Sequence, residues 1–378
     1  MNYAPEQVPT RPRPNTPRVD LLTVGLASAL AVVGVVIVYS ATRGKLAIAG
    51  FDPHYYLTRQ AVFVLVGLVA MVVVAAVDYR RLEQLSTIIY VGILLSLVAV
   101  YAIGDQVLGG QRWIPLGGPF QFQPSEFATL AIILAIATYC ARRPEGLGLA
   151  DLVKILLIAG IPALLIIKQP DLGTGIVIMV ILIVMLTVAG MPVRYIALFL
   201  VSSVLLVVFA IKVGLLQHYQ IERLTSFISP NAPGETATYN VQQAKDAIGA
   251  GGIFGQGLFH GAQTNLAYVP EQQTDFIFSA VGEQLGFVGS SLLILGYGVL
   301  AWRILRTAQI ARDTFGRLLC AGVFALVVFS VFENIGMNMG IMPVAGIPLP
   351  FLSYGGSSIV VFFMAIGLVT SVHIRSTR

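Results

Sequence analysis

Residues 21–41, Leu21 to Ala41, read LLTVGLASALAVVGVVIVYSA. The run holds no Asp, Glu, Lys or Arg and is too long for the apolar core of a signal peptide, so it reads as a retained membrane span. A helix crosses the hydrocarbon with roughly 20 apolar residues rising about 1.5 Å each. By that rule the chain has ten such runs, centred near residues 31, 69, 95, 132, 160, 182, 204, 288, 327 and 364. The expected fold is an all-α polytopic membrane protein of ten transmembrane helices.

Composition agrees. Of 378 residues 57% are hydrophobic and 11% charged, where soluble domains carry roughly 25% charged residues. The net charge of +5 comes from scattered Lys and Arg that build no basic face, which speaks against a nucleic-acid partner. Ten spans put both termini on one side. Placing that side in the cytoplasm collects Arg80, Arg81, Arg142, Arg143, Arg303, Arg306 and most other basic residues inside. Residues 1–20, rich in Pro and Arg, read as a disordered cytoplasmic tail. Residues 21–378 read as one transmembrane domain, with a long, partly ordered outer loop at 216–274 between helices 7 and 8. Two cysteines and four dispersed histidines give neither metal-ligand spacing nor a disulfide framework. Chemistry therefore rests on acids and bases.

Asp275 stands where the outer loop turns into the eighth span. It reads either as a helix cap, with Thr274, or as an outward-facing general base. Glu283 follows two helical turns later, past Ser279, so the three share roughly one helix face. A carboxylate inside a span costs about 2.5–3.5 kcal/mol on insertion scales and needs a cavity or a partner. Glu126 and Glu333 are further acids in apolar context, and a proton path and structural pairing both remain open for them. Arg223 and Lys245, with Arg112 and Lys168 as weaker candidates, share the outer side with Asp275 and suit an anionic headgroup; each alone also fits a snorkelling surface residue. The segment 247–257, AIGAGGIFGQG, is either a set of turns or a backbone path whose amides meet a phosphate. The helix-breaking segment 342–358, MPVAGIPLPFLSYGGSS, is expected to line a cavity or to be buried in protein.

Together GGQRWIPLGGPFQFQPSEFATLA, IIKQPDLGTG, RLTSFISP, QQAKDAIGAGGIFGQGLFHGAQT, VPEQQTDFIFSAVGEQLGFVG and NIGMNMGIMPVAGIPLPFLSYGGSS resemble the SEDS family (shape, elongation, division and sporulation), in the family's order from about residue 110 onward. The wording is closer to the RodA-like elongation branch than to the FtsW-like division branch. The resemblance implies a peptidoglycan glycosyltransferase of the bacterial cytoplasmic membrane, serving cell elongation and shape. Such an enzyme polymerises lipid II on the outer face, with undecaprenyl-pyrophosphate-linked glycan as donor and a class B penicillin-binding protein as partner. The aspartate of the family's T-D-F-I-F motif falls on Asp275, as catalytic residue. Arg223, Lys245, Glu126, Glu283 and Arg112 are the expected substrate-binding residues, and a divalent cation (Mg or Mn) at Asp275 is left open. A lipid II flippase and a non-catalytic scaffold for the penicillin-binding protein stand as alternatives. The family's lysine after Q-P-S-E is Thr129 here, which leaves Glu126 without that cation.

Overall fold

The computed structural model describes residues 19–107, 110–117, 120–213 and 236–376. Among the described residues ten apolar helices carry the fold: α1 (Leu21–Ile48), α2 (Tyr55–Ala76), α3 (Tyr79–Ile103), α4 (Pro124–Ala141), α5 (Leu149–Lys168), α6 (Leu172–Val188), α7 (Val193–Lys212), α10 (Ile277–Ile310), α11 (Thr314–Asn338) and α12 (Gly356–Ser376). Between α7 and α10 the described residues add α8 (Thr236–Ala250) and α9 (Ala262–Asn265). Each of the ten apolar runs read from the sequence falls on one apolar helix. Eight are long and apolar enough to cross a membrane, and the apolar stretches of α6 and α7 are shorter.

Lipid gives little drive for helices to associate, so close packing has to hold the bundle. α12 packs along α2, and α11 lies against α10, α6, α4 and α12. Of the spanning window of α12, 78% is buried, against 17% for α3, so α12 is central and α3 faces outward. Gly367 lets α12 approach α2 closely, since a Cβ there would meet the Met71 carbonyl oxygen at 2.7 Å.

The two ends of the bundle differ. At one end arginine–carboxylate pairs tie helices together: Arg303 to Asp20 at 2.6 Å, Arg375 to Asp78 at 3.3 Å and Arg80 to Asp313 at 3.4 Å. Asp20 also caps α1, accepting from the Thr23 amide at 3.3 Å. At the other end the connections are longer and carry structure of their own. Between α3 and α4 the chain forms an antiparallel meander, β1 (Asp105–Val107), β2 (Gly110–Gly117) and β3 (Phe120–Phe122). This sheet is an addition to the all-α expectation, because Gly and Pro in QRWIPLGG read as turn rather than strand.

The stretch expected as a partly ordered loop contains α8, α9 and a glycine-rich strap, and residues 214–235 lie outside the described residues. The strap answers a break in α10. Gly286 has φ +65°, interrupting the helix. The orphaned α10 groups pair with the strap instead: the amides of Gln256 and Gly257 donate to the Glu283 and Gln284 carbonyls at 2.9 and 3.0 Å, and the Phe287 and Val288 amides donate to the Gly252 and Ile253 carbonyls at 2.9 and 3.1 Å. A Cβ on Gly286 would stand 2.2 Å from the Gly255 nitrogen, so the approach requires glycine. Of the two readings of this segment the structure favours the set of turns, since the amides of Gly251, Gly252, Gly255, Gln256 and Gly257 are engaged by backbone carbonyls.

Candidate active site

A cavity of about 370 Å³ opens at the end of the bundle that carries the meander and the strap. That size lies within the ordinary range of ligand pockets. Asp275, Glu271, Glu126, Asp171 and Arg112 all line it, together with Tyr354 and the 345–348 stretch. Residues 342–358, read as lining a cavity or buried in protein, do both: part of the segment lines the cavity and part is buried. That segment is irregular backbone kept at depth by buried side chains such as Ile347, Leu349, Phe351 and Leu352.

Asp275 is half-buried in the turn that precedes α10, whose N-cap position falls on Phe276. Its main chain is clamped from α11. The side-chain amides of Asn334 and Asn338 donate to the Asp275 carbonyl at 2.9 and 3.1 Å, and Asn334 also donates to the Ile347 carbonyl at 2.8 Å. From the other side the Ser353 hydroxyl donates to the Thr274 carbonyl at 2.6 Å, and the Tyr354 amide donates to the Gln273 carbonyl at 2.8 Å. Thr274 turns its own hydroxyl back to the Glu271 carbonyl at 3.1 Å. A carboxylate on a turn fixed at both flanks is preorganised for proton transfer.

Opposite lies the junction of α4 and α6. Asp171 caps α6, accepting from the Thr174 amide at 3.2 Å and from the Ser125 and Thr174 hydroxyls at 2.9 and 3.0 Å. Glu126 lies one residue beyond Ser125 in the first turn of α4, where the helix dipole favours an anion. Thr129 does not replace the absent lysine, since its hydroxyl donates to the Glu126 carbonyl at 2.7 Å. Arg112 comes from β2, its guanidinium donating to the carbonyls of Gln169, at 2.8 Å, and Pro170. It is the single Lys or Arg among the described residues lining the cavity. Burial lifts the Tyr354 hydroxyl above the ordinary tyrosine range, with Arg59 acting in the opposite direction.

Two expected site residues fall elsewhere. Glu283 does not share the cavity: it is 0% exposed, and its carboxylate accepts from the Gln263 amide at 2.7 Å, the Thr264 amide at 2.9 Å and the Thr264 hydroxyl at 2.5 Å. The common face with Asp275 fails because Asp275 precedes the helix and Glu283 points to α9. Lys245 of α8 packs against Gly340 after α11 and lines no part of the cavity. Arg223 lies outside the described residues. Glu333 also stays out of the cavity, accepting from the Ala345 amide at 3.3 Å and so holding the wall. Among the described residues no three His, Cys, Asp or Glu side chains stand together as a metal site. Mg²⁺ is commonly held by one or two carboxylates plus substrate phosphates, and Asp275 is one carboxylate on the cavity wall that fits such a role.

Asp171, Glu271, Tyr354, Asn334 and Asn338 were not singled out from sequence. For Asp171 a signal existed, since Asp followed three residues later by Thr in PDLGT is a capping pattern. For the two asparagines the i, i+4 spacing marks one helix face, without saying what that face holds.

The FtsW/RodA/SpoVE family model, described as cell cycle protein, matches residues 20–378. The chain is 39% identical to peptidoglycan glycosyltransferase MrdB of Escherichia coli K12, over 81% of this chain and 82% of that protein. It is 36% identical to a probable peptidoglycan glycosyltransferase FtsW of Trichlorobacter lovleyi, over 93% and 92%. A chain from a structure on the coordination of polymerization and crosslinking by a peptidoglycan synthase complex superposes with a TM-score of 0.80 at 32% identity, over 95% of this chain and 98% of that one. The Rod shape determining protein RodA of Thermus thermophilus gives 0.70 at 30%, over 95% and 98%. With its cavity, its broken tenth helix and its clamped Asp275, the chain belongs to the FtsW/RodA/SpoVE family, the SEDS proteins whose motifs it carries.

Proposed function

We propose that this protein is a RodA-like peptidoglycan glycosyltransferase that polymerises lipid II, and the observation that carries the reading is Asp275 held at the wall of a cavity that also contains Arg112. Asp275 accepts the proton of the acceptor sugar hydroxyl as that oxygen attacks the anomeric carbon of the lipid-linked donor strand. The bond from that carbon to the undecaprenyl pyrophosphate breaks, and the configuration inverts. A positioned base contributes about 10² to 10⁴ in rate. Arg112 faces the departing diphosphate, where a guanidinium recognises phosphate oxygens in pairs. Glu126 and Asp171 on the opposite wall are suited to sugar hydroxyls and amides.

The relatives named for peptidoglycan glycosyltransferase activity and the structure that couples polymerization to crosslinking support this reading. They also favour a class B penicillin-binding protein as partner. Arginine-rich connections at the end opposite the cavity fit cytoplasmic termini, with the cavity on the outer face of the membrane.

The test reconstitutes the purified protein in liposomes with lipid II and the partner, whose transpeptidase site is inactivated. Glycan strands are expected. Movement of lipid II across the bilayer without strands would favour a flippase, and neither activity would leave a scaffold.

A further inference from the structure

A cavity of about 370 Å³ is near the small end of ligand pockets, so a polymer made there has to run out along the protein. One wall continues as a row of aromatic rings. Tyr354 in the wall meets Tyr56 of α2 edge to face, with centroids 4.8 Å apart and planes at 88°. Tyr56 meets Tyr55 likewise, at 5.1 Å and 81°. Tyr55 is 41% exposed, so the row reaches the surface. The Arg59 guanidinium lies 3.8 Å from the centre of the Tyr55 ring and also neighbours the Tyr354 hydroxyl, bridging the two ends of the row.

Two features set this row apart from aromatics that merely anchor a bundle at the headgroup level. It begins inside the cavity rather than on the lipid face. Also, all five arginine–carboxylate pairs lie at the opposite end, and Arg59 forms none among the described residues. A guanidinium stacked on a ring keeps its N–H edges for a carboxylate. The negative faces of tyrosine rings attract the weakly positive C–H face of a sugar.

We propose that Tyr354, Tyr56, Tyr55 and Arg59 form a track that binds the carboxylate-bearing amino-sugar strand as it leaves the cavity. The assignment rests on the glycosyltransferase reading. Ring faces carry the sugars, and Arg59 engages a carboxylate of the stem peptide borne by alternate units.

The probe is a soluble, lipid-free tetrasaccharide of alternating N-acetylglucosamine and N-acetylmuramic acid that carries the stem peptides, as the strand does. It is titrated into the full-length protein with its partner by calorimetry, and strand length is read from lipid II in the same preparations. Tyr55→Ala and Arg59→Gln are each expected to weaken tetrasaccharide binding by about tenfold, as loss of one stacking or charged contact does, and to shorten the strands. Phe51→Ala removes an aromatic that is 67% exposed near the start of α2 but outside the row, and it should change neither. Equal binding by wild type and both variants, or no binding by wild type, overturns the track. So does loss of lipid II binding with tetrasaccharide binding intact, which would assign the row to substrate entry. If wild type makes no strands, the enzyme reading fails, while the titration still decides whether the row binds saccharide.

Discussion

The side-chain amide of Asn334 donates to the main-chain carbonyl of Asp275 at 2.9 Å. The same amide holds the Ile347 carbonyl at 2.8 Å, so one buried side chain fixes both the carboxylate turn and the cavity wall. Asn334→Ala leaves the buried Ile347 carbonyl without that donor, a loss of about 1–3 kcal/mol, and leaves the Asp275 carbonyl to Asn338 alone. It is expected to lower the melting temperature and to slow polymerisation by about 10- to 100-fold, since small misplacements of a base cost that much. Strand-synthesis rates beside a thermal melt check this. An unchanged rate in the folded variant would show that the clamp does not position Asp275.

Glu283 predicts a separable effect. Its carboxylate holds the start of α9 through Gln263 and Thr264. Glu283→Ala is expected to destabilise by about 1–3 kcal/mol. It should also speed hydrogen exchange at the Gln263 and Thr264 amides by at least about tenfold. Wild-type protection of those amides would contradict the assignment.

Gly286→Ala places a Cβ 2.2 Å from the Gly255 nitrogen at a backbone angle of φ +65°. With ψ at −164° this is a conformation essentially reserved to glycine and alone costs about 1–3 kcal/mol, and the collision adds to it. Yield of folded protein and melting temperature should both fall. Gly160→Ala in α5, where a Cβ meets nothing within 4 Å, should match wild type or exceed it slightly.

The transmembrane helices were legible because lipid demands a fixed length of apolar sequence, and each run has one. Asp275 was legible because an acid at the mouth of a span needs a reason. The rest depends on what meets what. The five glycines at 247–257 announced close approach, but nothing in their spacing named the break at Gly286 as their partner. The eight-residue interval from Asp275 to Glu283 implies one face only if a single helix spans it, and the helix begins at Ile277. Asn334 and Asn338 carry no sequence mark of the carbonyl they hold. Lys245 shares an end of the bundle with Asp275, yet it packs on Gly340, a pairing set by the path of α8.

At the opposite end, Asp20 is 6% exposed and is bound by Arg303 through both oxygens, at 2.6 and 3.0 Å. Burial raises its pKa, but hydrogen bonds from Arg303 and Thr23 outweigh that, and the carboxyl titrates below its ordinary range. A depressed folded-state pKa gives stability that is complete above the unfolded value of about 3.9 and lost as pH falls through the folded value. Asp20→Asn should cost about 3 kcal/mol at neutral pH. Its deficit against wild type should narrow in melts taken below about pH 4. A deficit independent of pH would assign the loss to packing.

The central claim is tested most directly by strand synthesis from lipid II with wild type and Asp275→Asn, each with the partner bound. Asparagine keeps the size and polarity of the side chain but cannot accept the proton. Wild type should make long strands, while Asp275→Asn should be slower by at least about 10², with melting temperature and partner binding unchanged. Wild-type strand synthesis by Asp275→Asn would contradict the account and leave Asp275 as part of the turn alone.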